Sequence, residues 1–156
     1  MNVARYIDSV VLALSDYVDV NVSAQYAVDA AKPLKSLIEQ LNANNQLLQS
    51  GSDGTGLPVT PNYTTTTIRY KRRKGQPTNR VTLKDTGDFH ESITAVFNGS
   101  EIELIATDPK TGKLVQKYGK DILGLDDKSI ATLLDKLRPL FTNEFRKTIA
   151  DAQFDN

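Results

Sequence analysis

Residues 82–107 read TLKDTGDFHESITAVFNGSEIELIAT, and the two halves of the stretch follow different rules. From Ser92 to Phe97 and again from Ser100 to Thr107 the residues alternate as they do in a half-buried strand, with Asn98-Gly99 between the runs. Both of those residues tolerate positive φ, so the pattern predicts an antiparallel hairpin closed by a two-residue turn. The first half contains Asp85-Thr86-Gly87. Its plainest reading is a local turn in which Asp85 or Thr86 caps one helical turn and Gly87 relaxes the backbone. Phe89 and Ile93 then point into the core.

Upstream, Val3, Tyr6, Ile7, Val10, Val11, Leu14, Tyr17 and Val18 recur at steps of three and four, one helical stripe with Asn2 as its N-cap. Asn21-Val22-Ser23 interrupts it, and Ser23 is expected to cap a second helix. The stripe of that helix runs Ala27, Ala30, Ala31, Leu34, Leu37, Ile38, Leu41 and Leu48. Pro33 removes a backbone donor inside the pattern and predicts a kink or a fresh start. Ser50–Asn62 carries three glycines and two prolines and reads as a surface loop. Thr64–Tyr70 is β-branched and alternating, a strand by the same logic as the hairpin. KRRKGQPTNR (71–80) then reads as a long mobile hairpin tip, with a strand resuming over Arg80–Leu83.

Downstream, Asp108–Lys113 is a turn and Leu114–Tyr118 a short strand. Asp126 caps a last helix with Ile130, Leu133, Leu134, Leu137, Phe141, Phe145 and Ile149 on one side and a kink at Pro139. The expectation is one α+β domain over residues 1–156. A helical segment (1–49) and a loop (50–63) precede a small antiparallel sheet region (64–125). A C-terminal helix (126–152) packs on the sheet.

Composition narrows the function classes. The 156 residues hold 19 Lys+Arg and 19 Asp+Glu, so no global charge drives the chain toward nucleic acid or membrane. There is no cysteine, which excludes disulfides, thiolate catalysis and Cys-based zinc sites. Asp8 and Asp16 break the apolar run near the N-terminus, so neither a signal peptide nor a membrane span is read there. The expectation is a soluble protein assembled in the cytoplasm.

Four constellations invite chemistry. Asp85-Thr86-Gly87 spells the triplet that carries the catalytic aspartate of retroviral-type aspartic proteases. Such an enzyme needs two aspartates sharing a proton, hence a homodimer here, and an apolar strand before the triplet where this chain has Lys84. His90, the only histidine, lies near Asp85, Asp88 and Glu91. Asp88, His90 and Glu91 share no face of a helix or strand, so a solvated or capping histidine is expected rather than a metal ligand. The glycines of GSDGTG (51–56) precede no Lys-Ser/Thr and no helix, and read as linker. The fourth constellation is electrostatic: Arg69, Lys71, Arg72, Arg73, Lys74, Arg80 and Lys84 place seven positive charges in sixteen residues with no acid among them. This segment is the candidate contact for phosphates or an acidic protein. A stand-alone nucleic-acid-binding module is the alternative it leaves open.

The order of features resembles the tail-completion, neck and virion-morphogenesis proteins of tailed bacteriophages. The residues that carry the likeness are Thr86, Gly87, Phe89, Ser92 and Ile93 ahead of the sheet, then Arg138, Pro139, Leu140 and Phe141 in the last helix. In place of the tyrosine-rich segment those families carry before Arg-Pro, this chain has residues 117–125, KYGKDILGL. The resemblance implies an architectural Asp85-Thr86-Gly87 turn and no enzymatic activity, cofactor or metal. It also implies a ring-forming neck, head–tail connector or tail-completion subunit. Its partners would be portal, connector or tail proteins of the virion, with possible non-specific contact to packaged DNA and none to membrane.

Overall fold

The hairpin forms where the alternation places it. A computed structural model describes the backbone of residues 20–154 and the side chains of residues 25–143; the Val3–Val18 stripe and its Asn2 cap lie outside the described residues. Strand β1 (Ile93–Asn98) pairs antiparallel with β2 (Glu101–Ala106), in register from Ile93↔Ala106 to Asn98↔Glu101. Asn98 is therefore still paired, and the turn is Gly99-Ser100, one residue later than the dipeptide suggests. Gly99 has φ +54, the positive value that a type II′ turn demands at its first central residue. Ile93 and Ala95 face Ala106 and Leu104 across the pair, and this side of the ribbon enters the core.

Helix α1 (Val20–Ala31) runs straight through Asn21–Ser23, so Ser23 lies inside the helix rather than at its cap. Pro33 does interrupt the run: a 3₁₀ turn, Lys32–Leu34, separates α1 from α2 (Lys35–Gln40). Beyond α2 the chain widens into a π-helical stretch, Leu41–Ser50. A π turn closes i→i+5 rather than i→i+4 and so rotates later residues off the α-helical stripe. Leu47 becomes fully buried while Leu48, the residue an α-helical stripe selects, is only half-buried.

Two expected strands are helices instead. Thr65–Arg73 is α3, with the Thr64 side chain accepting a hydrogen bond from the Thr67 amide at 3.3 Å as N-cap. Leu114–Tyr118 lies in α5 (Thr111–Tyr118). Arg80–Leu83 joins neither of the two strands in the sheet, and Leu83 there has φ +54. Between these, Asp88–Glu91 forms the short helix α4. β-branched residues favour a strand only where a partner strand and a covered face exist. No partner is available to the threonines of α3, whereas a side-chain cap is.

The last helix, α6 (Asp127–Phe154), begins as expected: Asp126 Oδ1 accepts from the Ser129 amide at 2.8 Å. Ile130, Leu133, Leu137 and Phe141 are buried, and the side chains of Phe145 and Ile149 lie outside the described residues. α6 packs chiefly along α1, which also meets β2, while α2 lies against β1. The class is α+β, with a two-stranded sheet lying among the helices. Among the described residues no helix is long and apolar enough to cross a membrane.

The loop after the π-helical stretch is docked rather than free. Asn42 Nδ2 donates to the Ile122 and Gly124 carbonyls at 3.0 and 2.8 Å, and Gln46 Nε2 donates to Gly124 at 2.9 Å. Gln46 Oε1 accepts from the Asp126 amide at 3.0 Å, so one side chain ties the entry of α6 to the π-helical stretch. Gly54 donates its amide to the Asp121 carbonyl at 2.7 Å, and a Cβ there would stand 2.8 Å from the Gly124 Cα. The GSDGTG segment thus closes against the chain leading into α6, which corrects its reading as a linker.

Candidate phosphate-contact site

The seven cations of Arg69–Lys84 do not form one patch. At about 100° per residue, α3 places Arg69, Arg72 and Arg73 within an arc of about 100° and turns Lys71 to the opposite side. Lys71 is 5% exposed. Its ammonium donates to Gln76 Oε1 at 2.9 Å and to the Lys84 carbonyl, reaches Thr82 Oγ1 at 3.5 Å, and lies 4.9 Å from the Tyr63 ring centroid. Every one of these partners is neutral. Tyr63 completes the knot through its hydroxyl, which accepts from the Thr82 and Leu83 amides at 2.9 and 3.2 Å.

Lys74 and Arg80 are also committed internally. Lys74 Nζ pairs with Asp85 Oδ1 at 2.6 Å and lies 4.5 Å from the Tyr70 ring centroid. Arg80 donates from Nε to the Leu48 carbonyl at 3.0 Å and from Nη1 to Asn79 Oδ1 at 2.9 Å. Its stem packs on Gly51, where an added Cβ would come within 2.8 Å of the Arg80 Cβ. Lys84 is half-buried. Arg69, Arg72 and Arg73 are exposed and have no ion pair or hydrogen bond among the described residues. The expected mobile loop is therefore a helix and a pinned return segment. The cations of that segment, read as a contact for phosphates or an acidic protein, include one buried ammonium.

The Asp85–Ile93 turn is built differently from the sequence reading in one respect. Asp85 caps nothing: its carboxylate is held by Lys74 and its carbonyl accepts from Gln76 Nε2 at 2.6 Å. The Lys74 hydrogen bond keeps the Asp85 carboxyl below its ordinary range in spite of partial burial. Thr86 does the local work, donating to Asp88 Oδ2 at 2.7 Å and accepting weakly from the Asp88 amide at 3.5 Å. Gly87, with φ +118, occupies the N-cap position of α4 in a backbone region that a side chain would strain. Ser92 Oγ donates to the Phe89 carbonyl at 2.8 Å, closing α4 as β1 begins. Phe89 and Ile93 are buried as expected.

His90 is neither solvated nor capping. It is 8% exposed, with Nε2 at 2.8 Å from the Thr82 carbonyl. A carbonyl only accepts, so Nε2 carries the proton. Burial lowers the imidazole pKa, the Thr82 hydrogen bond works against that, and the Lys84 and Lys71 charges reinforce the lowering.

Arg138 and Pro139 lie inside α6, both exposed, with Leu140 half-buried and Phe141 buried behind them. Asn42 and Gln46 organise the entry to α6, and two amides four apart on an otherwise apolar helix side are the signal of that role in the sequence. No family model, curated protein or solved structure matches this chain.

Proposed function

We propose that the chain is a non-enzymatic structural subunit of a tailed-phage neck, a head–tail connector or tail-completion protein that assembles as a ring. The observation that carries the reading is the construction of the Thr86-Gly87-x-Phe89-x-x-Ser92-Ile93 segment. Gly87 turns the backbone, Ser92 closes α4, and Phe89 and Ile93 anchor the entry to β1. This is the architectural role that the resemblance assigns to the motif. The aspartate that would make it a protease is engaged by a lysine, whereas a proton-sharing dyad requires one neutral carboxyl. Arg138-Pro139, interior to α6, adds no turn of this kind. The reading therefore rests on the Thr86–Ile93 segment.

Ring assembly draws support from the two-stranded sheet, whose two outer edges pair with no further strand among the described residues. The outward arginines give the subunit a phosphate-seeking face, with Thr65 and Thr66 exposed on the same helix. Arginine forks and hydroxyls match phosphate oxygens. Packaged DNA is accordingly the favoured contact, sequence-independent and salt-sensitive.

The experiment is to locate the gene and to identify the proteins of purified particles by mass spectrometry. A gene beside portal, terminase and tail genes, with the chain present in mature particles, supports the reading. A setting of metabolic genes, or absence from the particle, sinks it.

A further inference from the structure

Between the inner side of α3 and α5 lies a cleft of about 210 Å³ lined by Tyr63, Tyr70, Leu83, Leu114 and Tyr118, with Lys71, Lys84 and Asp85 among its polar groups. We propose that this cleft is a docking site for an acidic peptide segment of a partner protein, which inserts one apolar side chain between the tyrosines and sets its carboxylates on the surrounding lysines. The site lies on the side of α3 away from the arginine face, and the inference does not depend on the connector reading.

Size, lining and charge select the occupant. Small-molecule and nucleotide sites run to about 300–1,000 Å³, so this cleft suits a single side chain better than a base with its sugar. Its walls are mostly aromatic and aliphatic, and Tyr70 is 47% exposed, leaving apolar area to be covered. Leu83 contributes to the wall from a left-handed backbone (φ +54), a conformation costly for a non-glycine residue and enriched at binding sites.

The charge around this apolar floor is lopsided. Lys71 is buried against neutral acceptors only, Lys84 lines the cleft, and Lys117 Nζ lies 4.9 Å from the Tyr118 ring centroid. The one acid at the cleft, Asp85, is already paired with Lys74 and also feels Lys110. From Gly54 to Lys84 the chain contains no acid at all. A segment bearing carboxylates on either side of a phenylalanine or leucine complements both features. Lysine ammoniums, as compact point charges, accept carboxylates in many orientations.

The test uses the full chain, ¹⁵N-labelled, and the probe acetyl-Asp-Glu-Phe-Asp-Glu-amide, followed by amide shifts. Saturable shifts at Leu83, Leu114 and Tyr118 are expected. Affinity should fall about tenfold or more when the peptide's phenylalanine is replaced by alanine, and similarly in Lys84→Glu. Should Lys84→Glu lose the folded spectrum, Lys117→Glu, on the exposed side of α5, carries the same test. The triple variant Arg69→Gln, Arg72→Gln, Arg73→Gln should bind the peptide unchanged. No saturable shift up to millimolar peptide overturns the proposal, as does equal binding of the alanine peptide. Tighter binding of a thymidine oligonucleotide at the same residues would also overturn it, marking the cleft as a base-stacking site. None of these outcomes bears on whether the chain belongs to a phage particle.

Discussion

On the inner side of α3, Lys71 is almost wholly removed from water and holds Gln76, Thr82 and the Lys84 carbonyl together. On the outer side, half a turn around the same helix, Arg69, Arg72 and Arg73 stand in solvent without partners among the described residues. In the sequence these residues form one basic run. The difference teaches that a charge cluster is not yet a patch: helical geometry sorts it, and the part turned inward becomes scaffold. Inner substitutions should therefore be felt in stability and outer ones in binding.

The sharpest way to break this contrast is Lys71→Met, which keeps the apolar stem but leaves Gln76 Oε1 and the Lys84 carbonyl without their donor. A loss of about 2–3 kcal/mol in urea unfolding is expected. A loss below about 0.5 kcal/mol, the range of ordinary surface changes, would erase the distinction between the two sides.

His90 extends the inner region toward Thr82 and makes it pH-sensitive. Its folded pKa lies below the ordinary 6.5, so its contribution is complete above that pH. As pH falls from 6.5 toward the folded value, the unfolded chain takes up a proton that the folded chain resists, and stability declines. The Asp85 and Glu39 carboxyls are lowered from already acidic ordinary values and so lie outside this window. Unfolding compared at about pH 7.5 and 5.5 should show the loss in the native chain and not in His90→Gln. Equal losses in both would assign the effect elsewhere.

Asp85→Asn should be milder than either, at most about 1 kcal/mol, because it removes a half-exposed ion pair and no cap. The smallest stability effect belongs to the outer face. Arg69→Gln, Arg72→Gln and Arg73→Gln should each stay within about 0.5 kcal/mol of the native chain. Together they should lower the slope of log affinity for duplex DNA against log salt by roughly two to three. An unchanged slope would mean that these arginines touch no phosphate.

Much of the fold was legible where local and tertiary demands agree. The alternation of residues 92–107 has a matching turn residue in Gly99, and Asp126 precedes a clean apolar stripe, so the hairpin forms with its turn one residue later than read and the last helix starts at the expected cap. Phe89, Ile93 and Gly87 likewise behave as the turn reading requires. Thr64–Tyr70 misled because β-branching is a preference for a pleated, covered surface, and no strand stands beside it. Burial of Lys71 and His90 was illegible, since nothing local in either residue announces that acceptors from 76, 82 and 84 will converge. Leu47 replaced Leu48 in the core because the wider turn of residues 41–50 has no simple periodic signature. The candidate contact shrank for the same reason, from seven cations to the three that the fold leaves outside.

We propose that this chain is a repeated structural part of a phage neck. Electron cryomicroscopy of the assembled particle, with the fold placed in the map, tests it most directly. Several copies arranged symmetrically about the tail axis are expected, with Phe89 and Ile93 inside each subunit's core and α3 turning its arginines toward the DNA channel. A single copy at an asymmetric position, or no density for this fold anywhere in the particle, would contradict it.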